Sequence, residues 1–204
     1  MGSTTILDIL GSTITFGLLL LMSLRLNANA SESNSTFYAN YMLQSNMLTL
    51  TVMLEDDLKH VGSWYAPTVA DPTAIRIATS NEFSFFRNGV LVDWRVGDPS
   101  EIPETSNPND RYIYRTENNG VPNKLNLGAT SMSFVYWNIS DPTIQEYSPV
   151  PHSRYGNIGP IDISIQLESP YKRTQQYTND TSQYEMYWRQ IRSVARSTLV
   201  QIPQ

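Results

Sequence analysis

The chain opens on an unbroken apolar segment. Residues 6–24 are nearly all apolar or small, and the single charge among them is Asp8. A helix of this length is just long enough to cross the hydrocarbon core of a bilayer. We therefore expect residues 1–26 to form an apolar transmembrane helix that serves as a membrane anchor or as the core of an assembly.

A helical pattern continues directly from this segment. Neither Pro nor Gly occurs between Leu18 and Val61. Apolar side chains recur there at every third or fourth position, with polar ones between them. The pattern predicts one helix from about Thr4 to about Val61, with its amphipathic half in residues 27–62 and Gly62 as its stop. The apolar stripe, which we expect to pack on a sheet of the same chain, is Leu43, Met47, Leu50, Leu54, Leu58 and Val61.

Beyond Gly62 the pattern changes to that of strands. Short runs rich in Ile, Val, Phe, Tyr and Trp alternate with clusters of turn residues. Asn88-Gly89 is typical of a tight hairpin, because both residues accept a positive φ. Residues 63–204 are predicted to form a mainly antiparallel β domain that ends in a short helix over about residues 183–198, so the fold class is α+β. The predicted strands are 74–79, 82–87, 90–96, 111–116, 131–137 and 161–167, and the predicted loops are 97–110 and 140–160.

Three interpretations of the apolar segment follow from its residues. A cleaved secretory signal fits the end at Ala28-Asn29-Ala30, although the basic start of such a signal is missing. A plain membrane anchor fits the length, although no Lys or Arg cluster fixes its orientation. The third interpretation makes the segment the first half of the long helix and gives Asp8 a functional role, because an acid inside a bilayer is costly.

Composition argues against several classes of function. The chain has no cysteine, which removes disulfides, thiolate zinc sites and Cys nucleophiles. Its two histidines, His60 and His152, are too few and too far apart for a histidine-built metal centre. The net charge of −5 argues against a nucleic-acid partner, because such binding rests on clustered cations. No catalytic or cofactor motif is present, so we expect a non-enzymatic protein without a metal or cofactor.

Positive charge is concentrated near the C-terminus. Residues 27–169 carry 8 basic and 16 acidic side chains, whereas residues 170–204 carry 5 basic and 2 acidic ones. On the helix predicted over residues 183–198, side chains three and four positions apart share one face. That face is expected either to be solvated or to contact the acidic middle of an adjacent subunit, and its members are Arg189, Arg192 and Arg196.

The N-glycosylation sequon occurs four times. In a chain rich in Asn and Ser, chance explains most such matches. The sequons therefore mark candidate positions only, at Asn29, Asn34, Asn138 and Asn179.

Several segments resemble the subunits of type IV filaments, which are the type IV pilins and the pseudopilins of type II secretion. Thr4-Thr5-Ile6-Leu7-Asp8 is similar to the FTLIE-type start of mature members, with Asp8 at the position of their acidic residue and Gly17 where many of them have glycine. MLEDDLKHVG, at 53–62, resembles the end of the long helix in the larger minor subunits, such as minor pseudopilin J. The family's Phe-rich, Tyr-Arg, aromatic and Ile-rich strands are similar to FSFF at 83–86, YR at 114–115, FVYW at 134–137 and IDI at 161–163.

The resemblance implies a structural subunit of a type IV pilus-like or pseudopilus-like extracellular filament. It implies that Asp8 pairs with the N-terminal ammonium of a neighbouring subunit, with Thr4 and Gly17 in the same assembly region. The implied partners are further copies of this chain and other minor pilin-like subunits, after residence in the inner membrane. The alternative is a monomeric membrane-anchored surface domain that binds a ligand through its loops.

Overall fold

The computed structural model divides the chain into two compact units, Met1–Met42 and Leu43–Gln204. One helix, α1 (Gly2–Lys59), forms the first unit and opens the second. Its end is marked by Gly62, whose φ of +75° is open to glycine at little cost. The long helix predicted from about Thr4 to about Val61 is confirmed. The residues that the structure describes are 2–66, 68, 73–173 and 183–194.

The second unit contains one antiparallel sheet of eight strands. Neighbours in the sheet follow the order β1-β2-β3-β4-β5-β7-β8, and β6 pairs with β5. The α+β fold class is therefore confirmed. The strands are β1 (Ile75–Ala78), β2 (Glu82–Arg87), β3 (Val90–Val96), β4 (Arg111–Glu117), β5 (Asn123–Asn138), β6 (Gln145–Glu146), β7 (Ile158–Arg173) and β8 (Gln183–Val194).

The β2–β3 hairpin matches the prediction residue by residue. Its two strands have the predicted bounds, and Arg87 pairs with Val90 across the turn. Asn88 and Gly89 form that turn with φ values of 50° and 78°. These angles lie in the left-handed region, which Asn and Gly tolerate better than other residues.

The sheet curls, so that the turn between β1 and β2 meets the C-terminal half of β5. The backbone N–H of Phe134 donates to the carbonyl of Ser80 over 2.9 Å, and the hydroxyl of Tyr136 donates to the carbonyl of Thr79 over 2.8 Å. Strand β5 pairs with β4 only as far as Ala129 and continues beside β7. A gap therefore separates β4 from the second half of β5.

The core joins the predicted helix stripe to the inner face of the sheet. All six stripe residues, from Leu43 to Val61, are at most 3% exposed. They belong to one apolar cluster with strand residues that include Phe83, Phe134 and Ile163. The ring centres of Phe83 and Phe134 lie 5.8 Å apart. The expectation that the stripe packs on the protein's own sheet is confirmed.

The predicted C-terminal helix is wrong over the described residues. Gln183–Val194 is a strand that pairs with β7 along its length, with Ile191 opposite Ile163. The free edge of β7 supplies backbone hydrogen-bond partners that a helix would leave unused. Side chains alternate in a strand, so Arg189 and Arg192 lie on opposite faces instead of one. Residues 195–198 of the predicted helix lie outside the described part.

The two predicted loops are more ordered than expected. Residues 97–110 contain a short 3-10 helix, Pro99–Glu101, which Asp98 caps by accepting from the backbone N–H of Ser100. Residues 140–160 contain β6, a 3-10 helix over His152–Asn157 and the start of β7. Clusters of Pro, Ser and Asn therefore correctly indicated turns but hid these short elements.

Candidate functional site

The apolar surface of α1 is the most prominent feature of the first unit. Every Ile, Leu, Met and Phe between residues 6 and 26 is more than half exposed. Mean hydropathy reaches 1.9 over an 18-residue window. By length and composition the helix can cross a membrane, and its first half is compatible with membrane anchoring. So large an apolar surface requires lipid or protein around it.

Three hydroxyl groups within this segment are satisfied by the helix itself. Ser12, Thr13 and Thr15 each donate to the carbonyl four residues earlier, over 2.7, 2.8 and 2.8 Å. An unpaired hydroxyl in an apolar medium is costly, and these bonds remove that cost. The segment is thus suited to a dry environment despite its polar residues.

The three residues implied in assembly all lie on α1, but they do not share one face. Thr4 and Asp8 are one turn apart, whereas Gly17 follows Asp8 by nine residues and lies on the opposite side, at about 100° per residue. Among the described residues, the Asp8 carboxylate has no ion pair or side-chain hydrogen bond. A Cβ added at Gly17 meets no atom within 4 Å. The side chain of Thr4 lies outside the described part.

A buried carboxylate fastens the end of α1 to three strands. Asp57 is 1% exposed and accepts from Arg87 on β2, from Trp94 Nε1 on β3 over 2.8 Å, and from Arg115 Nε on β4 over 2.7 Å. Its neighbour Asp56 also accepts from Arg87, over 2.6 Å. The Asp57 carboxylate raises the pKa of Arg115 further above its already high value. We call Asp57, Arg87, Trp94 and Arg115 the helix clamp.

Sequence reasoning missed this clamp. The acidic run Glu55, Asp56 and Asp57 occupies consecutive positions of α1, whose side chains point in different directions. Asp57 follows the core residue Leu54 by three positions, so it lies on the buried stripe. An acid at an apolar position of the helical pattern was the signal that pointed to a buried ion pair.

A second ion pair joins β7 to β8. Asp162 is 3% exposed and accepts from both Nε and Nη2 of Arg192, over 2.6 and 2.7 Å, and from Trp137 Nε1 over 2.9 Å. The guanidinium of Arg192 is the main reason why the pKa of Asp162 lies below its usual value. The charge of Arg192 is thus paired within its own chain.

The remaining basic residues of the predicted C-terminal face differ in their surroundings. Arg189 Nη2 lies 3.8 Å from Glu55 Oε1 on α1, and both side chains are partly exposed. Such a pair contributes at most about 1 kcal/mol. Arg196 lies outside the described residues. Contact of these arginines with an adjacent subunit stays a prediction.

The sequons fall in different environments. Asn29 and Asn34 are exposed on α1. Asn138 uses its amide in the turn after β5, donating to Glu146 over 2.9 Å and accepting from the backbone N–H of Ser140 over 2.8 Å. A glycan on Nδ2 of Asn138 would replace one N–H of the group that donates to Glu146, and would leave the carbonyl oxygen that accepts from Ser140. Asn179 lies outside the described residues.

No family model, curated protein or solved structure matches this chain. Among the residues that the structure describes, no group of three His, Cys, Asp or Glu side chains is placed to hold a metal ion. Function is therefore argued from the geometry of α1 and of the sheet.

Asp93 gives the β domain a predictable response to pH. Burial, with the nearby Glu82 carboxylate, raises the pKa of Asp93 to about 6. A raised pKa stabilises the fold only while the group is protonated, so this contribution is lost as the pH rises through about 6. We expect Asp93→Asn to stabilise the protein at pH 8 by about 1 kcal/mol, after allowance for solvent screening, and to have no effect near pH 4. Chemical unfolding of the full chain in detergent micelles at both pH values measures this.

Glu82→Gln provides the control for this prediction. It removes the like charge beside Asp93 and should lower the pKa of Asp93, so that part of the pH dependence disappears. A gain from Asp93→Asn that is equal at pH 4 and pH 8 would show that titration of Asp93 is not its source.

Proposed function

We propose that this protein is a structural subunit of a type IV pilus-like or pseudopilus-like extracellular filament. The observation that carries the proposal is the continuity of α1. Its first half exposes apolar side chains around a single acid, and the same helix continues without interruption into the core of the β domain. A helix of this kind is suited to burial in a bilayer before assembly and in a bundle of identical helices afterwards.

Asp8 is the proposed determinant of subunit order. In an apolar helix bundle an ionised carboxylate is strongly disfavoured unless a cation lies beside it. The N-terminal ammonium of the next copy of the chain supplies that cation. Further partners are other minor pilin-like subunits, and the location is the cell surface after passage through the inner membrane.

Charge reversal at Asp8 tests this role. Asp8→Lys should abolish filaments, because it places like charges together in a medium of low dielectric constant. Asp8→Ala should leave some filaments, because it removes the attraction together with the cost of burying the charge. Negative-stain microscopy of the purified full-length variants measures filament yield.

Glu32→Lys is the matched control, since Glu32 is exposed in the polar stretch of the same helix. It should assemble like the wild type. Filament yield at the wild-type level from Asp8→Lys would refute pairing at Asp8.

The second candidate is a monomeric membrane-anchored surface domain that binds a ligand. It is favoured by one observation, a polar cavity in the gap between β4 and β5. Removal of residues 1–26 distinguishes the two functions, because the core stripe begins only at Leu43 and the β domain should stay folded. A filament subunit then loses polymerisation, whereas an anchored binding domain keeps its ligand in soluble form.

A further inference from the structure

The gap between β4 and β5 contains a cavity of about 440 Å³. It forms because β5 stops pairing with β4 at Ala129. The turn between β1 and β2 closes the opposite side of the cavity. Its volume lies within the usual range for small-molecule sites. The polar side chains that decide its chemistry are Arg95, Asp98, Glu101, Arg111, Ser131 and Ser133.

Two arginines in this cavity have no ion pair with any described residue. Arg95 lies over the ring of Tyr114, with 4.4 Å from Cζ to the ring centre. Arg111 donates from Nη1 to the carbonyl of Gly97 over 3.3 Å. These contacts hold both guanidinium groups in place. Both arginines act on Asp98 and Glu101 only through space, and their charges add to the hydrogen bonds that lower the pKa of these carboxylates. By contrast, Arg87, Arg115 and Arg192 are each paired with a buried carboxylate.

The two carboxylates of the cavity are ionised and held by neutral donors. Glu101 accepts from the hydroxyl of Tyr114, which is the main reason that its pKa lies below the usual value. Asp98 accepts from the backbone N–H and the hydroxyl of Ser100, and its pKa is lowered by these bonds. Each carboxylate has remaining lone pairs that can accept hydrogen bonds from a ligand.

An unsatisfied hydroxyl also marks this cavity. Thr130 lines it, is 8% exposed, and its Oγ1 has no hydrogen-bond partner among the described residues. A buried polar group without a partner costs free energy. Because Oγ1 of Thr130 is closed off from solvent, the hydroxyls that can meet a ligand in this cavity are those of Ser131 and Ser133.

We propose that this cavity binds an acidic saccharide, a sugar unit that carries both a carboxylate and several hydroxyl groups. Arg95 and Arg111 bind the carboxylate, since guanidinium groups suit planar anions. Asp98, Glu101 and Ser133 bind the sugar hydroxyls. The fixed acids of the site disfavour compact anions such as phosphate, which concentrate their charge on one centre instead of spreading it along a sugar chain. The site belongs to the Leu43–Gln204 unit and does not depend on whether α1 assembles.

Calorimetric titration of the full chain in detergent micelles tests the proposal with digalacturonate as the probe. We expect digalacturonate to bind, and its neutral counterpart galactobiose to bind at least about tenfold more weakly, the effect of one lost charge-assisted hydrogen bond. Arg95→Gln and Arg111→Gln should each weaken digalacturonate binding about tenfold. Arg154→Gln is the control, because Arg154 pairs with Glu146 away from the cavity, and it should bind like the wild type.

Two milder variants keep the test valid if an arginine variant does not fold. Ser131→Ala and Ser133→Ala remove one hydroxyl each from the cavity lining, and both should weaken binding severalfold. The proposal is overturned if digalacturonate does not bind, if galactobiose binds equally well, or if inorganic phosphate competes at the same concentration. Unchanged binding by the folded variants would also overturn it.

Discussion

Asp57→Asn should lower the free energy of unfolding of the β domain by about 3 kcal/mol. The substitution removes the buried charge that two arginines share, and leaves Arg87 and Arg115 with only their exposed partners, Asp56 and Glu117. Breaking one partner of a buried ion pair is costly for this reason. Denaturant unfolding of the full chain in micelles, followed by tryptophan fluorescence, measures the loss.

The adjacent acid provides the control. The side chain of Asp56 is 53% exposed and contacts Arg87 from the solvent side. Asp56→Asn should therefore cost less than about 1 kcal/mol. Equal losses from the two variants would contradict the assignment of Asp57 as the centre of the helix clamp.

Leu54→Ala should destabilise the protein by about 2–5 kcal/mol, because the side chain is fully buried between the helix and the sheet. Val52, two residues earlier on the same helix, is 55% exposed. Val52→Ala should change the free energy of unfolding by less than about 0.5 kcal/mol. Thermal unfolding of both variants compares the two faces of α1 directly, and similar shifts would refute the stripe as the helix's core face.

Much of the fold was predictable because its signals are local. The stripe from Leu43 to Val61 follows one helical period without Pro or Gly, and all of it is buried. Asn88 and Gly89 adopt a left-handed backbone conformation more readily than other residues do. This pair therefore predicted the β2–β3 hairpin at the position where the structure has it. Patterns that depend on neighbours in sequence are readable from the sequence alone.

The misassigned elements depend on partners far along the chain. Residues 183–194 have apolar and basic side chains at spacings that also fit a helix, and only the free edge of β7 makes them a strand. Arg192 shows the same effect, because its partner Asp162 is 30 residues away and directly opposite in the sheet. Neither pairing has a local signature.

The candidate ligand site was equally hidden. Arg95, Arg111 and Ser133 come from three strands, and they meet only because β5 leaves β4 at Ala129. The sequence pattern predicted residues 97–110 only as a loop. The turn chemistry of that loop was apparent, but the cavity beneath it was not.

The helix clamp also has a mechanical consequence. If the N-terminal half of α1 were held, tension along the helix would reach the β domain through the stripe that begins at Leu43 and through the clamp at Asp57. Because Asp57 bonds to β2, β3 and β4 together, the load is divided among three strands that are hydrogen-bonded side by side. The clamp would thus spread a pull on one helix over three strands of the sheet.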